Sequence, residues 1–484
     1  MNRRASPLFR LFLRSLATKN QNHKFDFDLD VDVANGLKNG SLKARHHPGS
    51  FRIKPVSLPE PLIQAVETIV KAYPWKSLSR DAQSLNQYIW SRHTATEDGE
   101  YKHKLKEVEE RIRSRSSVDP LAPEIPEKER KRLLDSLESK VHWWMKKEVY
   151  NWKAIDYDPY KCAMYLAVRL APDFAALVKI MAEMKQRDPD FAPLTMLDFG
   201  SGVGSGMWAV DQVWPGLCRE AVCVDRSADM NDMADKLLRG GDPDNPRLVR
   251  PGGTFFKQFL PQSRLLKYDL VISSRSLFEL PDITSRLKTL DVLWRKTSGY
   301  LVIVEAGTNA GYRVVQEARD YVLELSRQAT EKGEAHPEGY VFAPCPHDKF
   351  CPKFFDGTNV PCNFEVSYKP ASFEKDQTAH IDRYTYIVLK RGKRGESNEK
   401  NWPRLVEAPL IRKKHTICRM CTHSGTLREL TATKRKHSKE CYGLLRASKW
   451  GDLLPVQMSE VPESECVDTP SDGELSEPEE SVQN

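Results

Sequence analysis

Short apolar runs alternate with amphipathic stretches from Tyr160 onward, and this alternation predicts a parallel sheet covered by helices. The predicted strands are 195–199, 221–225, 268–272, 300–305 and 384–389. The predicted helices are 205–213, 230–238, 283–296 and 312–327. We therefore expect an α/β fold with a doubly wound, Rossmann-like sheet.

The regions on either side of this sheet follow different patterns. Leu62, Val66 and Ile69 repeat at helical spacing, so residues 26–155 read as a helical N-terminal region. Residues 396–456 are short, basic and rich in Thr, which favours a small β-rich C-terminal module. The expected units are 1–25, a presequence; 26–155, the helical region; 156–395, the sheet domain; 396–456, the basic module; and 457–484, an acidic disordered tail.

The first 25 residues indicate the compartment. Six Lys or Arg lie there among Leu, Phe, Ser and Ala, with no Asp or Glu. A basic amphipathic segment without acids is typical of a mitochondrial presequence. We expect import into the mitochondrial matrix and removal of this segment, while a disordered basic arm is the alternative.

Composition limits the class of protein. The 484 residues are 40% hydrophobic and 29% charged, which excludes a fully disordered chain. No run of about eighteen apolar residues occurs, so we expect no membrane insertion. We also expect a monomer.

A glycine-rich loop follows the first strand of the sheet. Asp198, Gly200, Ser201, Gly202 and Gly204 lie where backbone can approach a ligand at the carboxyl edge. The glycine spacing fits neither a dinucleotide fingerprint nor a phosphate loop. The loop thus predicts a cofactor without a pyrophosphate.

Asp225 ends the second strand, where a carboxylate can accept hydrogen bonds from ribose hydroxyls. Together the loop and this acid resemble the S-adenosylmethionine methyltransferase fold. The fourth strand, however, ends in Ser273-Ser274-Arg275-Ser276, without the acceptor-Pro-Pro-aromatic turn of enzymes that methylate base amines. This departure favours a domain that binds the cofactor without using it.

The cysteines predict a second site. Cys345, Cys351 and Cys362 lie on one proline-containing segment, 340–365, and Cys418 or Cys421 can supply a fourth thiolate. Four sulfurs without paired Cys-x2-Cys motifs fit an iron-sulfur cluster better than zinc, and zinc stays open. Reduced free thiols are the third alternative.

Residues 390–449 contain seventeen Lys or Arg against five Asp or Glu. Such density favours phosphate contacts on RNA, with solvation alone as the alternative. Trp402, Tyr442 and Trp450 are candidates for stacking on unpaired bases, although core packing is the stronger expectation for Trp450.

These motifs together resemble the mitochondrial small-ribosomal-subunit assembly factors typified by methyltransferase-like protein 17. The resemblance runs from about Leu58 to Pro455. Its motifs are Tyr165 with Arg169 and Pro172, the glycine loop, Val304-Glu305-Ala306-Gly307-Thr308 with Gly311, Cys345-Pro346-His347, and the segment from Lys449 to Pro455.

The resemblance implies a [4Fe-4S] cluster on Cys345, Cys351, Cys362 and Cys421, and docking on small-subunit rRNA. Cys421 is preferred over Cys418 because it lies four residues before Gly425, as in the family. The ten residues between Cys351 and Cys362 are more than the family leads us to expect. A catalytically active rRNA methyltransferase is the alternative function, and a zinc-dependent RNA-binding protein without a methyl donor is the third.

Overall fold

The computed structural model describes residues 25–115, 125–149, 152–247, 253–263, 265–331, 333, 338–371, 378–395 and 400–460. The predicted presequence, except Phe25, and residues 461–484 of the predicted tail lie outside the described residues. We expected the disordered tail to begin at residue 457, but residues 457–460 belong to a strand that pairs with residues 25–29.

The central sheet has eight strands: β2 (Thr195–Phe199), β3 (Glu220–Val224), β4 (Gly253–Lys257), β5 (Tyr268–Ser274), β6 (Thr297–Ala306), β7 (Gly339–Ala343), β8 (Phe364–Tyr368) and β9 (His380–Arg391). Their order is β4-β3-β2-β5-β6-β9-β7, with β8 also paired to β9. β2 to β6 run parallel, whereas β9 runs antiparallel to β6, β7 and β8. Strand order reverses at β2, which lies between β3 and β5, so this edge is the place for a ligand.

Helices cover both faces of this sheet, as the alternating pattern predicts. Side chains alternate along a strand, so Met196 of β2 joins one core and its neighbour Leu197 joins the other. The helices of the sheet domain are α6 (Pro159–Arg187), α7 (Ser205–Val213), α8 (Ala228–Leu238), α9 (Ile283–Lys296) and α10 (Asn309–Glu331). The expected doubly wound α/β fold is confirmed, and all five predicted strands and four predicted helices are present.

The N-terminal region is mainly helical. Leu62, Val66 and Ile69 are buried on one face of α2, which packs on the sheet domain. The helices are α1 (Val31–Lys38), α2 (Glu60–Val70), α3 (Trp75–Ser91), α4 (Asp98–Ser114) and α5 (Glu127–Glu148). None of the helices in the described ranges is long and apolar enough to cross a bilayer.

The C-terminal module is a small four-stranded sheet with one helix. Its strands are β10 (Arg404–Leu405), β11 (Leu410–Ile411), β12 (His415–Cys421) and β13 (Leu427–Thr433), and its helix is α11 (Lys439–Ala447). Val33 and Phe51 from the N-terminal region are buried in the core of this module. In addition, β1 (Phe25–Leu29) pairs antiparallel with β14 (Val456–Glu460). The first described strand therefore completes the C-terminal module.

Candidate cofactor and metal sites

The glycine loop leaves β2 in conformations that side chains rarely adopt. Gly200, Gly202 and Gly204 have φ of +69°, +51° and +85°. A Cβ at Gly200 would lie 2.1 Å from the Cβ of Ser276, whereas one at Gly202 would meet no atom within 4 Å. Gly200 is thus required by packing and Gly202 faces open space, where a ligand can approach.

The two predicted acids lie on either side of this loop. Asp225 accepts hydrogen bonds from the backbone N–H of Gly202 and of Ser227, both at 2.9 Å. Asp198 is buried, and its Oδ2 would lie 2.3 Å from a Cβ at Gly206. Burial, followed by the charge of Asp225, raises the pKa of Asp198 to about 7. Burial also raises the pKa of Asp225.

Unsatisfied polar atoms at the loop fit a bound polar ligand. Oδ1 of Asp198 and Oγ of Ser201 are buried without a hydrogen-bond partner. Buried polar groups are normally paired, so these atoms favour a ligand that supplies the missing hydrogen bonds. Asp225 keeps lone pairs beyond those used by the two backbone amides. The residues present therefore fit the methionine and ribose parts of S-adenosylmethionine.

The carboxyl end of β5 is occupied by structural contacts. Arg275 has φ of +59°, and its guanidinium donates to Asp173 and to Asp382, each at 3.0 Å. Oγ of Ser273 and Oγ of Ser276 lie 2.7 Å apart. The side chains of Arg275, Ser273 and Ser276 thus bind other protein groups, whereas Oγ of Ser274 is buried without a hydrogen-bond partner.

The cysteine segment runs between β7 and β8, two strands that lie one after the other along the same edge of β9. Cys345 follows β7, Cys351 precedes a short turn of helix at Pro352–Phe355, and Cys362 precedes β8. Cys421 is the last residue of β12 in the C-terminal module. All four cysteines line one small cavity, which contains no Asp or Glu.

Cys418 points away from that cavity. It lies three positions before Cys421 along β12, and side chains an odd number of positions apart lie on opposite faces of a strand. Cys418 is buried in the core of the C-terminal module, with Met420 and Cys441. Cys421 is instead brought together with the thiols of the sheet domain.

Two residues of α10 face the cysteine segment. Tyr312 donates from its hydroxyl to Sγ of Cys351 at 3.2 Å. Seven residues on, which is two helical turns, the buried Arg319 donates to the carbonyls of His347 and Lys349. Nε2 of His347 lies 3.2 Å from Sγ of Cys421. The contacts of Tyr312 and Arg319 fix the segment on the sheet domain, and that of His347 joins it to the C-terminal module.

Burial is the main influence on the four thiols. It raises the pKa of Cys345 to about 12, with Arg319 opposing, and it raises the pKa of Cys351 and Cys421 as well. Metal binding requires thiolates, so a cationic centre would have to supply the stabilisation that this environment withholds. Among the described residues, no group of three or more His, Cys, Asp or Glu is arranged to hold a metal ion. The donor set itself, four cysteines on one cavity, fits the ligands of an iron-sulfur cluster.

Arg404 joins the two parts of the molecule beside this cavity. It belongs to β10 of the C-terminal module, yet its guanidinium binds the carboxylate of Glu183 on α6. It also donates to the carbonyl of Pro344 at 2.9 Å and to that of Gly451 at 2.7 Å. Arg404 is 2% exposed, so the ion pair is dry and its loss would leave Glu183 buried without its main partner.

The sequence did not reveal these supporting residues. The helical spacing of Tyr312 and Arg319, just before the cysteine segment, is a signal that was available. The pair of Arg404 and Glu183 has no such signal, because the two residues lie 221 positions apart in the sequence.

The three aromatic residues that were candidates for base stacking lie in two different places. Trp402 and Tyr442 are buried in the core of the C-terminal module, which leaves little ring surface for a base. Trp450 is partly buried against the sheet domain. Several of the predicted basic residues instead line an open groove on the module, with Arg45 and Arg52 of the N-terminal region beside them.

Comparisons with known proteins place the chain among ribosome proteins of mitochondria. Residues 159–455 match the family described as mitochondrial small ribosomal subunit Rsm22. "Ribosome assembly protein METTL17, mitochondrial" of Homo sapiens is 36% identical over 87% of this chain and 88% of its own length. "Ribosome assembly protein RSM22, mitochondrial" of Saccharomyces cerevisiae is 24% identical over 41% of this chain and 46% of its own length.

The solved structures are less similar to this chain than the relatives found by sequence. A magnesium protoporphyrin IX methyltransferase from Synechocystis, with bound S-adenosylhomocysteine, is 12% identical and covers 54% of this chain and 99% of its own. The TM-score is 0.29, too low to carry an argument. Sequence similarity over most of the chain is decisive, and this protein belongs to the family described as mitochondrial small ribosomal subunit Rsm22.

Proposed function

We propose that this protein is an assembly factor of the mitochondrial small ribosomal subunit that works in the matrix as a monomer and binds small-subunit rRNA. In this proposal Cys345, Cys351, Cys362 and Cys421 hold a [4Fe-4S] cluster. S-adenosylmethionine binds at the glycine loop through Asp198, Gly200, Ser201, Gly202, Gly204 and Asp225.

The observation that carries the proposal is the shared cavity of the four cysteines. Three of them belong to the sheet domain and the fourth to the C-terminal module, so a cluster there would link two units that are distant in sequence. Because the ligands come together only in the folded chain, metal binding would contribute free energy to folding. The cluster would thereby hold the basic module in a fixed position on the sheet domain.

The basic groove supports a nucleic-acid partner. Of the thirteen residues that line it, nine are Lys or Arg and none is Asp or Glu. Such a surface gains affinity by releasing counterions from phosphates. Both relatives named above are called ribosome assembly proteins, which makes rRNA the polyanion we propose.

Cofactor binding without methyl transfer is the role we propose for the glycine loop. S-adenosylmethionine would supply an activated methyl group, but the end of β5 offers Arg275 in ion pairs with Asp173 and Asp382. A guanidinium held in this way accepts no proton from a substrate. Asp225 and the loop would orient the adenosine part, and the buried Asp198 would bind its polar end.

Complementation of cells that lack the protein tests the proposal. Wild-type protein should restore mature small subunits on a density gradient, and Cys351→Ser should restore few. A Gly202→Arg variant should leave the map of methylated rRNA nucleotides unchanged in the subunits that form. Normal subunits in the absence of the protein would contradict the assembly role, and a methyl group lost only in Gly202→Arg would show that the protein is an enzyme.

A further inference from the structure

The basic groove is built from parts of the chain that are far apart in sequence. Arg45 and Arg52 come from the N-terminal region, whereas Lys413, Lys434 and Arg435 come from the turns around β12 and β13. The groove encloses about 1240 Å³. Lys434 and Arg435 are exposed, and no carboxylate lines the groove to neutralise them. Several consecutive phosphates of a nucleic acid could be bound there at once.

A second cavity, of about 530 Å³, lies between the C-terminal module and the sheet domain. Its mouth carries exposed apolar side chains, with Ile381 64% and Ile411 50% exposed. Its walls include Phe364, Tyr384 and Trp450. The volume is in the range that small organic ligands occupy, which is ample for one nucleobase.

The two cavities are adjacent. Arg52, Arg446 and Lys449 line both of them. A chain whose phosphates follow the groove would reach the second cavity past these three cations, although Glu183, Glu365 and Asp452 also line that cavity. Charge on one side and apolar surface on the other match the two chemical parts of a nucleotide.

A hydrogen-bond donor in the second cavity lacks a partner. Nε1 of Trp450 is buried and makes no hydrogen bond. Trp450 is one of the lining residues, and its ring lies against the guanidinium of Arg383 at 5.8 Å. Nε1 itself has almost no accessible surface, so it is the partly exposed remainder of the Trp450 side chain that a base in the cavity could contact.

From these observations we infer that the two cavities form one binding site for single-stranded RNA, with the phosphates in the basic groove and one unpaired base in the cavity lined by Trp450. The inference rests on the proposed binding of rRNA and adds which form of RNA is bound. A duplex keeps its bases stacked and paired, so it could fill the groove but not the cavity.

Binding of three RNA probes to the full-length protein tests this inference. The probes are a single-stranded oligonucleotide, a duplex of equal length, and an abasic ribose-phosphate oligomer with the same number of phosphates. The single strand should bind about tenfold more tightly than the abasic oligomer, within the range that base stacking supplies. Equal affinity for these two probes would overturn the inference.

Paired variants separate the groove from the cavity. The double variant Lys434→Glu with Arg435→Glu should weaken the binding of all three probes. The control, Lys131→Glu with Arg132→Glu, changes an exposed Lys-Arg pair on α5 and should weaken the binding of none. Ile381→Glu and Ile411→Glu should each abolish the preference for the single strand over the abasic oligomer. Leu265→Glu, which changes a side chain that is 93% exposed and outside both cavities, should keep the preference.

The outcomes also separate this inference from the proposed function. If the protein binds no RNA at low salt, both are contradicted. If RNA binds through the groove but Ile381→Glu and Ile411→Glu bind like Leu265→Glu, RNA binding stands and the base-binding cavity is wrong.

Discussion

Gly202 and Gly216 share a left-handed backbone but not a position in the fold. Their φ values are +51° and +67°, and an added Cβ at either meets no atom within 4 Å. Only Gly202 lies beside the unsatisfied atoms of Asp198 and Ser201. We expect Gly202→Ala to weaken binding of S-adenosylmethionine at least tenfold in calorimetric titration, because the new methyl occupies ligand space.

Gly216→Ala is the matched control for that experiment. Each substitution should cost about 1–2 kcal/mol of folding free energy from the same backbone strain. Gly216→Ala should therefore lower the melting temperature similarly and leave cofactor affinity unchanged. Equal affinity of the two variants would remove the glycine loop as the cofactor site.

Asp198 should make the folded protein sensitive to pH. Its pKa is about 7 in the folded chain and about 3.8 in the unfolded chain. Between these values the folded state holds a proton that the unfolded state has released, so the free energy of unfolding falls as pH rises from about 4 to 7. Asp198→Asn keeps the shape and removes this proton.

The measurement is chemical denaturation of the cofactor-free protein at several pH values. The loss of stability between pH 4 and pH 7 should be smaller in Asp198→Asn than in wild type by a few kcal/mol, at about 1.4 kcal/mol per pKa unit. Parallel curves for the two proteins would show that Asp198 is ionised in the fold across this range.

Strand β12 carries the two cysteines that could each be the fourth ligand, Cys418 and Cys421. Its alternation puts Cys418 in the module core and Cys421 at the cavity shared with the sheet domain. We expect Cys421→Ala to lose iron from anaerobically purified protein, as measured by iron and sulfide analysis. Cys418→Ala should keep its iron and lose only packing, about 1–2 kcal/mol of stability.

The reverse pattern, iron lost in Cys418→Ala and retained in Cys421→Ala, would assign the fourth ligand to Cys418. Retention of iron in both variants would exclude a cluster that needs β12.

Elements formed by local patterns could be predicted from the sequence, whereas contacts between distant segments could not. The core strands were found because each is a short apolar run buried on both faces, a local pattern. Resemblance to the family pointed to Cys421, and the structure places that residue at the cavity that the other three cysteines line. The pairing of β1 with β14 was not predicted, because strand pairing across more than 400 residues leaves no local signal.

At the scale of the whole molecule, the basic groove predicts a strong effect of salt. If six or more of its nine cations contact phosphates, affinity for single-stranded RNA should fall at least about 300-fold between about 50 and 200 mM salt, since each contact adds about −0.7 to the slope for a single strand. Fluorescence anisotropy at a series of salt concentrations measures the slope. A slope near zero would contradict phosphate binding by the groove.

The sequence indicated a basic face but not its shape. Charge counts located the Lys and Arg clusters between 390 and 449, whereas Arg45 and Arg52 joined them only through tertiary packing. Trp402 and Tyr442 pack in the small core of the module, and Tyr442 also lines the basic groove, so base stacking by these rings stays a prediction. Binding surfaces that combine distant segments are visible only in the folded chain.

The central claim is that an inorganic centre on the four cysteines holds the basic module where it can bind rRNA. Its most direct test is the affinity of anaerobically purified protein for small-subunit rRNA, before and after removal of iron with a chelator. We predict a protein with visible absorbance and about four irons per chain, which loses most of its affinity when the iron is removed. A colourless, metal-free protein that binds the rRNA equally well would contradict the claim.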